Sequence, residues 1–240
     1  ASYARGRAIR LTRLDACGIP EEGEDSTIVT SGFVQVVTTP VYQDAEEIQV
    51  PNANGDLCID DQADPALRWL TTAITLCNIN PVAINILTGD PIVYNDATPT
   101  ADSVGFRIDA ATTGTAAFAL EIWTGVPGQA CGVGGTEQFG YWLYPFVVQA
   151  QFGEWTVGNA GLTIDITART SPGSGWGVGP YADVRRDATT GDLEALLTPI
   201  TETQHMHFEL SSAPVPAASC EPTAIPVPLG LVEELVLEPA

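Results

Sequence analysis

Apolar and polar positions alternate along much of the chain, the period-two signature of strands with one buried face. "AIRLTRLD" (8–15) alternates and stops at the turn signal "ACGIP". "TIVTSGFVQVVTTPVY" (27–42) reads as one strand with a bend or bulge near Ser31-Gly32. "EEIQV" (46–50) and "DLCID" (56–60) flank "PNANGD", whose Asn54-Gly55 suits a type I′ turn. Residues 40–66 therefore read as a long hairpin or excursion leaving the body of the domain. "RWLTTAITLC" (68–77) alternates again as a central strand. Further strands are expected in 91–94, 104–110, 116–125, 141–148, 155–159 and 162–170, with last elements in 193–200 and 205–210.

Periodicity changes once. In "NINPVAINILTGD", Asn80 stands at an N-cap position, Pro81 at the first helical position and Gly89 just past the end. Val82, Ile86 and Leu87 share a face, which predicts a short helix over 80–88 plugging the sheet structure. From Ala213 onward the chain turns Pro- and Ala-rich with an apolar-acidic ending, which reads as an arm. The expected organisation is a β-sandwich domain over 1–212 and a C-terminal arm over 213–240. The expected fold class is mainly β, an antiparallel sandwich or barrel with one short flanking helix.

Charge changes this picture more than composition does. The 240 residues contain 30 acids against 9 bases, all arginine, for a net charge of −21. A field of that sign disfavours a DNA- or membrane-binding face for the domain as a whole. The signs are also segregated. Residues 1–13 hold Arg5, Arg7, Arg10 and Arg13 with no acid, whereas 40–65 hold Asp44, Glu46, Glu47, Asp56, Asp60, Asp61 and Asp64 with no base. They are either two solvated loops or complementary docking surfaces between copies. The start is charged and lacks an apolar leader core, and no apolar run has the length of a membrane span, so synthesis and folding in a cytosol are expected. The five cysteines (17, 58, 77, 131, 220) are widely spaced, which predicts free or buried thiols rather than a zinc site.

Candidate chemistry is sparse. "SPGSGWGVGPY" (171–181) has glycines at every second position from 173 to 179, but neither a phosphate-loop lysine nor the G-x-G-x-x-G fingerprint. It reads as a Gly-permitted turn anchored by Trp176. His205 and His207 alternate on an expected strand with Glu209 on the same side, a spacing that a metal could use and that strands also show without one. No nucleophile elbow or H-E-x-x-H motif is present, and no catalytic residue, metal or cofactor is assigned. "FGYWLYPFVVQAQFGEW" (139–155) concentrates seven aromatic residues. Either all pack inside the chain, or some, such as Trp142, face a partner.

Taken together, "GRAIRLTRLDACG" (6–18), "LEIWTGVPGQAC" (120–131), "GYWLYPFV" (140–147), "WTVGNAGLTIDITART" (155–170), "GSGWGVGPYADV" (173–184), "LLTPI" (196–200) and "HMHFELSSAPVPAA" (205–218) resemble the major tail proteins, or tail tube proteins, of long-tailed, non-contractile bacteriophages of actinobacterial hosts. The resemblance runs from the first strand to about residue 218 and contains no catalytic motif. It implies a structural virion protein that forms hexameric rings, stacked into a tube through which the genome leaves the particle. Implied partners are further copies of the chain, a tape measure protein in the lumen, tail terminator and baseplate or tip proteins at the ends, and double-stranded DNA passing without specific binding. Arg5, Arg7, Arg10, Arg13, Asp44, Glu46, Glu47, Asp60, Asp61, Trp142 and Trp176 are the expected inter-subunit contacts, and an acidic bore would repel passing phosphates. A capsid decoration protein, a tail terminator or a carbohydrate-binding sandwich would share parts of this composition.

Overall fold

A computed structural model describes residues 4–44, 47–62, 64–97, 102–126, 137–159 and 161–225. The fold is mainly β and antiparallel with a single short helix among these residues, as the alternation predicts. The strands are β1 (Ala4–Leu14), β2 (Thr27–Thr30), β3 (Phe33–Tyr42), β4 (Glu47–Pro51), β5 (Leu57–Gln62), β6 (Leu67–Leu76), β7 (Ile92–Tyr94), β8 (Ser103–Phe106), β9 (Ala117–Gly125), β10 (Phe139–Phe152), β11 (Ile164–Thr170), β12 (Arg185–Arg186), β13 (Leu193–Glu194) and β14 (His207–Ser211); α1 spans Pro81–Thr88.

The main sheet runs in the order β2-β1-β9-β10-β11-β6-β3, with β14 also paired to β10. Its two ends are joined by only Ser31 and Gly32, so the sheet must curl until β2 and β3 are neighbours. The bend expected at these residues is the place where one long strand passes from pairing with β1 to pairing with β6. The inward residues form the principal core: Ile9, Leu11, Ile28, Ile74, Leu120, Val147 and Ile166 pack around the Ile84, Ile86 and Leu87 side chains of α1.

The helix forms where its punctuation places it. Asn80 accepts from the Val82 and Ala83 amides at 2.9 and 3.3 Å, Pro81 needs no partner at the first position, and Gly89 closes the last turn at φ +85°. Its apolar residues are not confined to one face. Val82, Ala83, Ile84, Ile86 and Leu87 are all buried, so α1 fills the interior rather than lying on it.

β10 is longer than the alternation predicts, because Pro145 interrupts the ladder without ending the strand. The register shifts between Tyr144 and Val147. Before it, Phe139–Leu143 pair with β14; beyond it, Val147–Phe152 pair with β11. A proline that cannot donate is tolerated at such a bulge, and the bulge lets one strand serve two neighbours.

Three local expectations change. The hairpin within 40–66 is present as β4 and β5, but its turn is a three-residue loop. The Asn52 amide donates to the Asp56 carbonyl at 2.7 Å and the Gly55 amide to Asn52 at 3.0 Å, and of Asn54 and Gly55 only Gly55 has positive φ, +88°. "WTVGN" (155–159) forms no strand; Val157 is 81% exposed and the segment pairs with no strand among the described residues. Within 193–200 only Leu193–Glu194 is a strand, while Leu196 and Ile200 reach the core from irregular backbone.

The Asn80 amide nitrogen also donates to the Cys220 carbonyl at 2.8 Å, tying the last described segment to the helix start. Asn80→Ala is expected to lower stability by about 1 kcal/mol in urea unfolding, the usual value of an N-cap. Asn80→Asp, which keeps the cap and loses the donor to Cys220, should fall between it and the parent.

Candidate functional site

Residues 8–14 of β1, strand β9 and the first half of β10 are largely buried on both faces. The outer face is covered by the irregular layer between β11 and β14, whose Trp176, Tyr181, Val184, Leu196 and Ile200 pack with Trp123, Tyr141, Leu143 and Phe146 into a second core. A polar residue pointing into that layer must find partners inside the protein. Arg10 and Glu121, direct cross-strand neighbours, do so.

Arg10 Nε and Nη2 donate to the two oxygens of Glu121 at 2.6 and 2.7 Å, and Nη1 reaches both oxygens of Asp183 at 3.0 Å. The guanidinium lies over the Tyr181 ring, 3.4 Å from its centroid, and 5.1 Å from that of Trp123. Tyr141 adds a third donor to Glu121 through its hydroxyl at 2.7 Å. Tyr181 continues the network to Thr12 and Thr27, each at 2.8 Å. Arg10 is 3% exposed and Glu121 0%. Burial works against the Arg10 charge, but the Glu121 and Asp183 carboxylates outweigh it and hold its pKa above the usual value. Burial, reinforced by Glu121, keeps the Tyr141 phenol neutral well beyond its ordinary range, and burial pushes Tyr181 up to about 12.

The Gly-rich run is part of this layer. Gly173, Gly177 and Gly179 have positive φ, and a Cβ on Gly179 would lie 2.7 Å from Trp176 Nε1. The run is a turn anchored by Trp176, as its spacing predicts, and it is folded onto the sheet.

That geometry corrects several expected contacts. Arg10 is an interior ion-pair partner rather than a docking group, because its charge is consumed by Glu121 and Asp183. Trp176 is 4% exposed and sits inside the second core, closed to a partner. Trp142 is half-buried; its ring packs on Phe208, centroids 4.3 Å apart, and its indole nitrogen donates to Thr124 at 3.1 Å. Arg13 donates to Asn85 of α1 at 2.5 Å. Arg5 and Arg7 are exposed, with Arg7 3.8 Å from Glu137. Asp44 is exposed; the backbone of Glu47, Asp60 and Asp61 lies in the β4–β5 hairpin, and Glu46 falls outside the described residues. His205 turns to Thr170, its Nδ1 2.8 Å from the hydroxyl, whereas His207 contacts Glu209 at 3.3 Å, so the three do not converge. Cys17, Cys58, Cys77 and Cys220 are free and exposed, not buried.

What remains exposed is concentrated elsewhere. In β4–β5, Val50 lies opposite Ile59, and Ile48 and Leu57 fall on the same side by alternation. All four are 44–50% exposed. Asp61 stands in register with Ile48, so the hairpin bears a cluster of four exposed aliphatic residues without a wholly apolar side. β3, which leads into it, pairs among the described residues with β6 and contains no charged residue in ten, though Pro40 lies within it.

No family model matches the chain, and no curated protein matches it.

Glu121→Gln is expected to cost about 3 kcal/mol, since it leaves the buried guanidinium only the partly exposed Asp183, while Arg10→Met with Glu121→Leu should recover part of that loss, the buried Tyr141 hydroxyl then lacking its acceptor. Chemical unfolding of the two variants against the parent reads this directly. Tyr181 binds its proton more tightly when folded, so its contribution is complete below the unfolded value near pH 10 and is lost as pH rises through about 12. Tyr181→Phe should flatten the decline of stability across that window.

Proposed function

We propose that the chain is a structural, non-enzymatic subunit of a phage tail, a tail tube protein whose rings stack into a conduit for the genome. The observation that carries this reading is the cluster of four exposed aliphatic residues on the β4–β5 hairpin. A two-stranded hairpin is marginal on its own, and exposed aliphatics on a chain of charge −21 call for a neighbour. β3 supports it in part: among the described residues it pairs on one side only and carries no charge, although Pro40 guards that edge. Contacts between different patches on successive copies build rings and filaments, whereas two-fold contacts close on themselves.

In this reading the exposed Arg5 and Arg7 meet acids of the 40–66 excursion on an adjacent copy. The acidic remainder of the surface supplies a bore over which DNA slides, and tape measure, terminator and tip proteins engage the lumen and ends. The virion is the place of action.

Val50→Glu with Ile59→Lys should abolish pelletable polymer while leaving the melting temperature of the monomer nearly unchanged, because these side chains are exposed in the isolated chain. Polymer from that variant at the parental yield would refute the docking role of the hairpin. Arg5→Glu with Arg7→Glu should weaken polymer formation, and increasingly so at low ionic strength, where unscreened repulsion is strongest. Insensitivity to both charge and salt would remove the arginines from the interface.

A further inference from the structure

The turn of the β4–β5 hairpin contains a chemically labile step. Of the seven asparagines in the chain, only Asn54 is followed by glycine. A backbone nitrogen can attack the side-chain amide of the residue before it when little crowds that nitrogen, and glycine crowds it least. Here Asn54 and Gly55 are both exposed, and a Cβ on Gly55 would meet nothing within 4 Å. Among the described residues the Asn54 side chain has no hydrogen-bond partner; only its backbone amide is engaged, donating to Asn52 Oδ1 at 2.8 Å.

The other asparagines are held or blocked. Asn52 Oδ1 accepts from the Asn54 and Asp56 amides at 2.8 and 2.9 Å, and the residue after it, Ala53, carries a Cβ. Asn80 precedes Pro81, which has no N–H to give up. The side chain of Asn85 is bonded to Arg13 and to the Asp90 carbonyl, and that of Asn95 to Asp102. One restraint opposes attack at Asn54, since the Gly55 amide donates to the Asn52 carbonyl at 3.0 Å. The hairpin that maintains this bond forms a two-stranded sheet of its own, and such a hairpin opens at little cost.

We propose that Asn54 is a site of spontaneous covalent modification, deamidated through the Gly55 nitrogen with water as the only co-reactant. The Gly55 nitrogen loses its proton to solvent and bonds to Asn54 Cγ, the side-chain nitrogen leaves as ammonia, and a five-membered imide remains. Water then adds to one of the two ring carbonyls, and the Gly55 nitrogen regains a proton as that C–N bond breaks. Opening at Cγ gives aspartate; opening at the main-chain carbonyl gives isoaspartate. Nothing is oxidised or reduced. Either product places a new carboxylate near exposed Asp56. Isoaspartate also lengthens by one atom a loop closed by the 2.7 Å bond from the Asn52 amide to the Asp56 carbonyl, which loosens the turn that sets the hairpin's register.

This chemistry goes beyond the tail tube reading and does not depend on it. The full chain is incubated in mildly alkaline buffer beside a free peptide of residues 51–58, and both are followed by peptide mapping and by labelling with an isoaspartyl methyltransferase. Isoaspartate should accumulate at position 54 while Asn52 stays intact, and the chain should gain one negative charge on anion exchange. Gly55→Ala should lose most of the conversion and Asn54→Gln all of it. A chain that keeps its amide at position 54 while the peptide converts overturns the proposal, as does conversion of Asn52 or any other asparagine at the same pace. Converted chains, separated from fresh ones, should yield less pelletable polymer. Converted chains that polymerise at the fresh yield uphold the site and remove the turn from the interface. Conversion without polymer even from fresh chains upholds the site while the tube reading fails.

Discussion

The irregular layer folded over β1, β9 and β10 depends on one buried ion pair. Arg10 and Glu121 face each other across β1 and β9 in a part of the sheet covered on both sides, so neither charge has access to water. Such a pair repays its desolvation only when every remaining donor and acceptor is used. Here Tyr141 serves Glu121, Asp183 takes the third nitrogen of Arg10, and the rings of Tyr181 and Trp123 lie against the guanidinium. Because Asp183 and Tyr181 belong to the irregular layer, satisfying the pair also fixes that layer onto the sheet. Burial of Trp176, Leu196 and Ile200 then completes it. The pair is a specificity device as much as a source of stability: it selects the one placement of the Gly-rich segment that neutralises it.

An asymmetric protein follows. One part of the outer face is sealed by the chain itself, while among the described residues β11, β6 and β3 are covered less and the hairpin beyond β3 carries four exposed aliphatics. The sealed part contains the strongest electrostatics and has nothing left to offer a partner. The less covered part contains weaker features: an uncharged edge and four exposed aliphatics. The proposed function is placed on this second part.

The legible features were the local ones. Asn80, Pro81 and Gly89 sit within ten residues of one another, and their geometry is determined by backbone chemistry alone, so the helix could be read directly. The hairpin was equally plain, although its turn type was not, since Asn-Gly serves both two- and three-residue loops. Long-range partners left weaker traces. Arg10 lies 111 residues from Glu121 and 173 from Asp183, and in a run of basic residues it looks like its exposed neighbours Arg5 and Arg7. A signal did exist: Glu121 is the only charge in the apolar strand "AFALEIWTG", a position that demands a buried partner. Trp176 was misplaced for a related reason, since composition does not tell an aromatic on a covered face from one on an open face.

Negative-stain electron microscopy of the purified chain over a range of concentrations tests the central claim most directly. A tail tube subunit yields closed rings of uniform size or hollow filaments of constant bore. A monodisperse monomer at every concentration, or one closed oligomer that never stacks, contradicts it.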